Sequence, residues 1–129
     1  MTVFRSKDQA QDLFAELFRI LLEDPDFRTR LRQNQLTVQI IHTKPDFILH
    51  LDPDGVRIDD IPEKPVISIK MSCDTAHALW AGTLLMPLAV ATGKLRVRGS
   101  MAKVLEFAPM LRPAFDQYHQ LAAAAGVPG

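Results

Sequence analysis

The chain has 129 residues, and its fifteen basic and fifteen acidic residues cancel to a formal net charge of zero, which excludes the basic footprint of a general nucleic-acid binder. Hydrophobic residues make up 47% of the chain and charged residues 23%, which excludes a disordered composition. We therefore predict a single domain over residues 1–129, with its core at about 8–122 and a frayed tail at 123–129.

Two helices are predicted at the start of the chain. Ser6 followed by Gln9 matches the capping-box pattern of a helix N-terminus. The apolar residues that follow recur at helical spacing and would form one buried stripe: Ala10, Leu13, Phe14, Leu17, Phe18 and Leu21. Asp24 followed by Pro25 is typical of an N-cap and first helical position, so a second, shorter helix is expected there.

A hairpin is predicted after Leu36, where the apolar pattern changes to the alternation of strands. A tip at Lys44–Pro45 gives three cross-strand pairs on one apolar face: Val38 with Leu51, Ile40 with Leu49, and His42 with Phe47. A register shifted by one residue would exchange the apolar and polar faces.

Two further strands are predicted to extend this hairpin. The turn residues Asp52–Gly55 lead into a strand that places Val56 and Ile58 on the same apolar face. A fourth strand, from Pro65 to Met71, is expected to complete an antiparallel meander with one apolar side.

The second half of the chain alternates between helical and strand patterns. Ser72 is a plausible N-cap for a helix that ends near Gly82, and residues 83–92 form an apolar segment. A fifth strand is predicted at Lys94–Arg98, followed by a helix capped by Ser100 and, after two prolines, a last helix. The fold class is α+β: one sheet with helices on its apolar face.

No catalytic or metal-binding constellation is apparent. His42 and His50 fall on opposite faces of the predicted hairpin, and His77 and His119 lack an acidic partner at a useful spacing. We interpret all four as surface or hydrogen-bonded core histidines. The aspartates of residues 52–60 suit turns and lack the calcium-loop pattern, so no metal, cofactor or catalytic residue is predicted.

Cysteine content and hydropathy suggest the compartment. The single cysteine, Cys73, cannot form an internal disulfide, and no signal peptide is apparent. The longest apolar run, LLMPLAVA, is too short to span a bilayer. We expect a soluble, cytoplasmic protein.

Apolar residues are concentrated between residues 84 and 115, and three of them are methionines: Met86, Met101 and Met110. An ordinary core explains such a concentration. Methionine also suits a surface that adapts to a variable apolar ligand, and the pattern alone leaves both interpretations open.

The same region carries a resemblance to a known family. The matching residues are Trp80–Gly82, Gly93–Leu95, Val97, Gly99 and Met101–Lys103, preceded by a short helix with an acidic residue, Asp74, near its start. In this pattern the chain resembles the sterol carrier protein-2 family, whose members typically carry the sequence GKLKVxGD here. Ser100 stands in place of the usual acidic residue, and Pro109–Pro113 departs from the usual last helix. A stand-alone, bacterial-type member is expected because the chain does not end in a peroxisomal tripeptide.

The resemblance implies a five-stranded, mostly antiparallel mixed sheet whose apolar face is covered by helices, with an apolar tunnel between the two layers. It implies non-catalytic binding or transfer of a sterol, fatty acyl chain, acyl-CoA or phospholipid. The residues expected to line the tunnel are Trp80, Leu84, Met86, Leu88, Met101, Leu105, Met110, Leu111 and Phe115.

Basic residues of the predicted fifth strand suggest a second contact. Lys94, Arg96 and Arg98 would face outward, where they could meet anionic headgroups in a transient membrane contact or simply be solvated. An alternative function is that of an accessory subunit of a lipid-metabolism enzyme, docked through the same apolar face. The ligand, the partner enzyme and the oligomeric state stay open.

Overall fold

The computed structural model describes residues 3–60 and 64–127. Its helices are α1 (Lys7–Glu23), α2 (Pro25–Gln33), α3 (Cys73–Trp80), α4 (Met86–Ala91), α5 (Met101–Phe107) and α6 (Arg112–Ala124), with a 3₁₀ turn at Ala108–Leu111. Its strands are β1 (Val38–Thr43), β2 (Phe47–Asp52), β3 (Gly55–Ile58), β4 (Ile67–Ser72) and β5 (Arg96–Gly99).

The N-terminal helices begin where their capping residues predict. The Ser6 hydroxyl accepts a hydrogen bond from the Gln9 backbone N–H at 3.1 Å. The Gln9 carboxamide accepts from the Arg5 backbone N–H at 2.7 Å, one residue earlier than in a standard capping box. Asp24 accepts from the Asp26 N–H at 2.9 Å, and Pro25 occupies the first turn of α2.

The hairpin register is confirmed pair by pair. β1 and β2 are antiparallel, with Val38 opposite Leu51, Ile40 opposite Leu49 and His42 opposite Phe47. β3 continues the antiparallel arrangement, and its Val56 and Ile58 lie opposite Leu51 and Leu49 as expected. The apolar alternation had already determined which residues share a face.

The antiparallel meander is wrong for the fourth strand. The sheet order is β3-β2-β1-β4-β5, and β4 lies parallel to β1. At its entry, the backbone N–H groups of Val66 and Ile67 both donate to the Thr37 carbonyl oxygen, at 3.1 and 3.0 Å. Alternation of apolar residues is the same in parallel and antiparallel strands, so it predicts the face and not the neighbour. The five-stranded mixed sheet with helices on its apolar face is confirmed.

The fifth strand begins two residues later than predicted. The backbone N–H groups of Lys94 and Leu95 both donate to the Ala89 carbonyl oxygen, at 2.9 and 3.1 Å, and so close the end of α4. β5 therefore pairs with β4 only from Arg96 onward, antiparallel. Leu95 is nevertheless buried, as predicted for this position.

The core lies between the apolar face of the sheet and helices α1, α3 and α6. The Phe14 ring on α1 stacks on the His42 ring at 5.0 Å and on the Tyr118 ring at 6.3 Å. Val127 is buried, and Gln9 Nε2 donates to the Ala125 carbonyl oxygen at 2.9 Å. Part of the tail thus contacts the domain, fraying of residues 123–127 stays a prediction, and residues 128–129 lie outside the described part of the chain.

Candidate functional site

The nine residues predicted to line a tunnel occupy three environments. Trp80, Met110 and Leu111 are buried in the core. The Trp80 ring packs edge-on against Phe18 and tilted against Phe115, both at 5.7 Å between ring centroids. All three side chains are part of the buried hydrophobic core.

Three others lie at the edge of the core. Leu84, Met86 and Phe115 are half-buried and pack against it. Phe115 also borders an open cavity of about 420 Å³, together with Ala108, Pro109 and Arg112. This volume is at the lower end of the range of small-molecule pockets.

The last three are exposed on α4 and α5. Leu88, Met101 and Leu105 are 53%, 69% and 66% exposed. Leu85 and Val90, which neighbour Leu88, are exposed as well. Every large hydrophobic side chain that is exposed in the described part of the chain thus belongs to residues 85–105. Whether the nine line one ligand cavity stays a prediction.

The two helices that carry these side chains are weakly terminated. α4 has six residues and α5 has seven, and neither N-cap residue makes a side-chain capping hydrogen bond. Ser100 occupies the predicted N-cap position of α5, but its hydroxyl does not cap. Lys103 ties α5 to the end of α2, since its Nζ donates to the Asn34 carbonyl oxygen at 2.7 Å. Short helices with few such ties open at low cost in free energy.

The basic residues of β5 lie on the face of the sheet opposite the core. Arg96 is opposite Lys70 and Arg98 is opposite Ser68, whereas the intervening Val97 is opposite the buried Ile69. Lys94 precedes the strand and borders a cavity with Lys70 and Arg96. The outward orientation of this basic ribbon is as predicted, and the cations have no carboxylate partner among the ion pairs of the described residues.

Three histidines are more deeply buried than the sequence suggests. His77 Nδ1 and the Tyr118 hydroxyl are 2.6 Å apart, and burial raises the pKa of Tyr118. His50 Nε2 lies 3.2 Å from an Asp52 carboxylate oxygen. Neither ring nitrogen of His42 has a hydrogen-bond partner of good geometry, although backbone groups of Ile40 and Phe47 interact with the ring and partly offset the effect of burial on its pKa.

Burial opposes the ionisation of both His42 and Cys73. Burial lowers the pKa of His42 to about 4, which keeps the ring neutral near pH 7. Burial, with smaller contributions from Asp74 and Asp46, raises the pKa of the Cys73 thiol to about 12. In residues 3–60 and 64–127 no three His, Cys, Asp or Glu side chains are grouped to hold a metal ion.

Comparison with known proteins identifies the fold. No protein-family model and no curated protein matches the sequence. Among solved structures, sterol carrier protein 2 from Yarrowia lipolytica, in its apo form, matches with a TM-score of 0.60 and 17% identity over 80% of this chain and 90% of that one. The sterol carrier protein domain 2 of Helicoverpa armigera matches with a TM-score of 0.63 and 16% identity, over 76% and 81%. A third structure, the ubiquinone synthesis protein UbiJ-SCP2, matches with a TM-score of 0.55 and 16% identity over 86% of this chain and 95% of that one.

The chain has the sterol carrier protein 2 fold. The resemblance seen in residues 80–103 is therefore confirmed at the level of fold. Asp74, the acidic residue of that resemblance, has a structural role here. One of its carboxylate oxygens accepts a hydrogen bond from the Val3 backbone N–H at 3.0 Å and so connects the N-terminal segment to α3. None of the described helices combines the length and apolarity needed to cross a bilayer.

Proposed function

We propose that the chain is a non-catalytic lipid-binding module that holds a sterol, fatty acyl chain, acyl-CoA or phospholipid between the sheet and its C-terminal helices. The observation that carries this proposal is the exposure of five large apolar side chains, four on two short helices without side-chain caps and one at the N-cap of the first, in a sterol carrier protein 2 fold. A soluble domain gains nothing from such exposure unless a ligand or partner covers it.

The nine predicted residues would have three different roles in such a site. Trp80, Met110 and Leu111 supply the buried floor, and Leu84, Met86 and Phe115 supply the rim. Leu88, Met101 and Leu105 supply a wall that closes over the ligand when α4 and α5 shift. An acyl chain of about 15 methylene groups gains roughly 12 kcal/mol of gross transfer free energy at ~0.8 kcal/mol each. That gain is sufficient for micromolar binding after the costs of ordering are subtracted.

Charge substitutions in the wall test the proposal. Because Met101 and Leu105 are exposed, Met101→Asp and Leu105→Asp should leave the free energy of unfolding nearly unchanged. Both should abolish binding of a fluorescent fatty acid, since a carboxylate beside an acyl chain is costly to desolvate. Leu105→Met is the matched control and should bind normally. Wild-type affinity in both aspartate variants would contradict the proposal.

The basic ribbon of Lys94, Arg96 and Arg98 would aid delivery. Basic residues near an anionic bilayer contribute about 1 kcal/mol each. Neutralising all three should slow lipid transfer between anionic vesicles, and the slowing should shrink as salt rises. Binding of monomeric fatty acid in solution should not change. A loss of solution binding together with unchanged transfer would contradict this role.

A second candidate function is that of an accessory subunit of a lipid-metabolism enzyme. The similarity to the ubiquinone synthesis protein UbiJ-SCP2 favours it, because that protein shares this fold. Native mass spectrometry of gently purified protein separates the two functions. A chain that carries a lipid mass supports the lipid module, whereas an empty chain that binds no fatty acid and forms a stoichiometric complex with a lipid-metabolism enzyme supports the subunit.

A further inference from the structure

A row of polar side chains crosses the outer face of the sheet, opposite the core. Gln39 on β1 is paired in register with Ser68 on β4, and Ser68 is paired with Arg98 on β5. Adjacent strands are about 4.8 Å apart, so the three side chains span roughly 10 Å. Together with Lys64 they border an open cavity of about 490 Å³.

Gln39 is the unusual member of this row. It is only 6% exposed and it lines the cavity, and its Nε2 is buried without a hydrogen-bond partner. A buried amide donor without a partner is costly, and native structures contain few of them. Solvation of an ordinary strand face accounts for Arg98 and Lys64, which are exposed, but it does not account for Gln39.

The charge around the cavity has one sign. Among the described residues its lining contains the cations Arg98 and Lys64 and no carboxylate, and neither cation is a member of the ion pairs found in that part of the chain. Lys70 and Arg96 extend the positive field along the same face. Gln39, Ser68, Arg98 and Lys64 can all donate hydrogen bonds, which is the complement of an oxyanion.

A glycine fixes the end wall of the cavity. Gly99 has a φ of +131°, and a Cβ at this position would collide with the carbonyl oxygen of Val66. Gly99 and Val66 both line the cavity, so their close approach sets its shape. Any other residue at position 99 would push β5 away from Val66.

We propose that this cavity binds a phosphate-class oxyanion, held by the Arg98 guanidinium, the Gln39 carboxamide and the Ser68 hydroxyl, with Lys64 at the rim. The phosphate can be carried by a phospholipid headgroup or by a soluble phosphate compound, since both present the same oxygens. The site lies on the opposite face of the sheet from the apolar residues of the lipid proposal and does not depend on it.

Titration with inorganic phosphate tests the site directly. The readout is the backbone amide resonances of Ser68 and Gly99 in ¹⁵N-labelled protein, which the wild type and both variants share, at constant ionic strength maintained with chloride. We expect saturable shifts in the wild type. Gln39→Leu and Arg98→Gln should each weaken binding about tenfold or more, because each removes a hydrogen bond to a charged group.

The controls separate this site from general charge effects and from misfolding. Arg28→Gln removes an exposed cation on α2 and should leave phosphate binding unchanged. Gln39→Leu should fold at least as stably as the wild type, since it removes a buried donor that has no partner. Shifts that never saturate, or saturable binding that both site variants retain, would overturn the proposal.

A second experiment distinguishes the sources of the phosphate. It measures binding to phosphatidylcholine vesicles with and without phosphatidic acid. For a headgroup site, binding to the phosphatidic acid vesicles falls in both variants and inorganic phosphate competes with it. If the natural ligand is a soluble phosphate compound, Gln39→Leu should bind vesicles as the wild type does. The substitution should then weaken only the binding of inorganic phosphate. Fatty-acid binding should survive in Gln39→Leu, so failure of the apolar site and failure of this site give different results.

Discussion

His42 should make the stability of this protein fall steeply in mild acid. His42 is 2% exposed, and its ring stacks against Phe14 at 5.0 Å and against Phe47 at 4.3 Å. Desolvation lowers its pKa from 6.5 to about 4 in the folded protein. The unfolded chain therefore binds one more proton than the folded chain between these two pH values.

The sign and size of the effect follow from this difference. A histidine with a lowered pKa contributes stability that is fully present above pH 6.5 and is lost as pH falls toward 4. The complete loss is about 3 kcal/mol, of which about 2 kcal/mol is lost between pH 7 and pH 4.5. Marginal stabilities of 5 to 15 kcal/mol are typical, so this is a large fraction.

Urea denaturation of wild type and His42→Leu at pH 7, 5.5 and 4.5 measures the effect. Carboxylates also titrate in this range, but they contribute equally to both proteins. The change in free energy of unfolding from pH 7 to 4.5 should be about 2 kcal/mol smaller in the variant. The comparison does not depend on the packing cost of the substitution, since that cost is the same at each pH.

The matched control is His119→Gln, because His119 is exposed on α6. Its pH dependence should equal that of the wild type. An equal slope in His42→Leu and wild type would refute the assignment. So would an NMR titration in which the folded His42 ring becomes charged near pH 6.5.

Three further predictions concern other buried or strained groups. Tyr118→Phe should lower the free energy of unfolding by about 1–2 kcal/mol in urea, since it removes the hydroxyl 2.6 Å from His77; an unchanged stability would show that this hydrogen bond contributes nothing. Gly99→Ala should cost about 2 kcal/mol or more, whereas Gly82→Ala, with φ +82° and open space around its Cβ, should cost about 1 kcal/mol; equal costs would argue against the close approach of β5 to Val66. Cys73 should resist a thiol reagent at pH 8 until the chain is unfolded, because its pKa of about 12 leaves roughly one thiol in ten thousand ionised; reaction of the folded protein at the rate of the unfolded chain would contradict this.

The faces of the strands and the N-termini of the first two helices could be predicted from the sequence, because both depend on residues that are close together in the chain. A one-residue slip between β1 and β2 would bury polar side chains, so the pairing of Val38 with Leu51 could be derived from alternation alone. Ser6 and Asp24 begin α1 and α2 through hydrogen bonds to residues two or three positions away. The parallel pairing of β4 with β1 depends on contacts across 29 residues, between Thr37 and Val66, which no local pattern encodes.

The candidate site was harder to predict because helical spacing does not determine how far a helix lies from the sheet. Met101 and Met110 are the same residue type, and both follow helical apolar patterns, yet one is 69% exposed and the other 4%. Gln39 was missed for the opposite reason: its position on the polar face predicts solvation, whereas it is buried. The burial of this amide depends on residues from several strands, so it can be identified only from the folded structure of the outer face.

The proposed oxyanion site includes a residue of β5, and the helix that follows β5 carries residues of the proposed lipid site. Within β5, the side chain of Val97 lies on the core face and those of Arg96 and Arg98 on the outer face. Gly99 ends the strand against Val66, and Ser100 begins α5 directly after it, so the wall of the oxyanion cavity and the start of α5 are adjacent in the backbone. A phosphate bound by Arg98 would restrain this joint, and restraint at one end of a weakly capped helix changes how readily it opens. If both sites bind as proposed, phosphate should therefore alter the rate of fatty-acid release from the wild type. The same phosphate should leave the release rate of Arg98→Gln unchanged. Equal release rates with and without phosphate in the wild type would show that the two faces of β5 act independently.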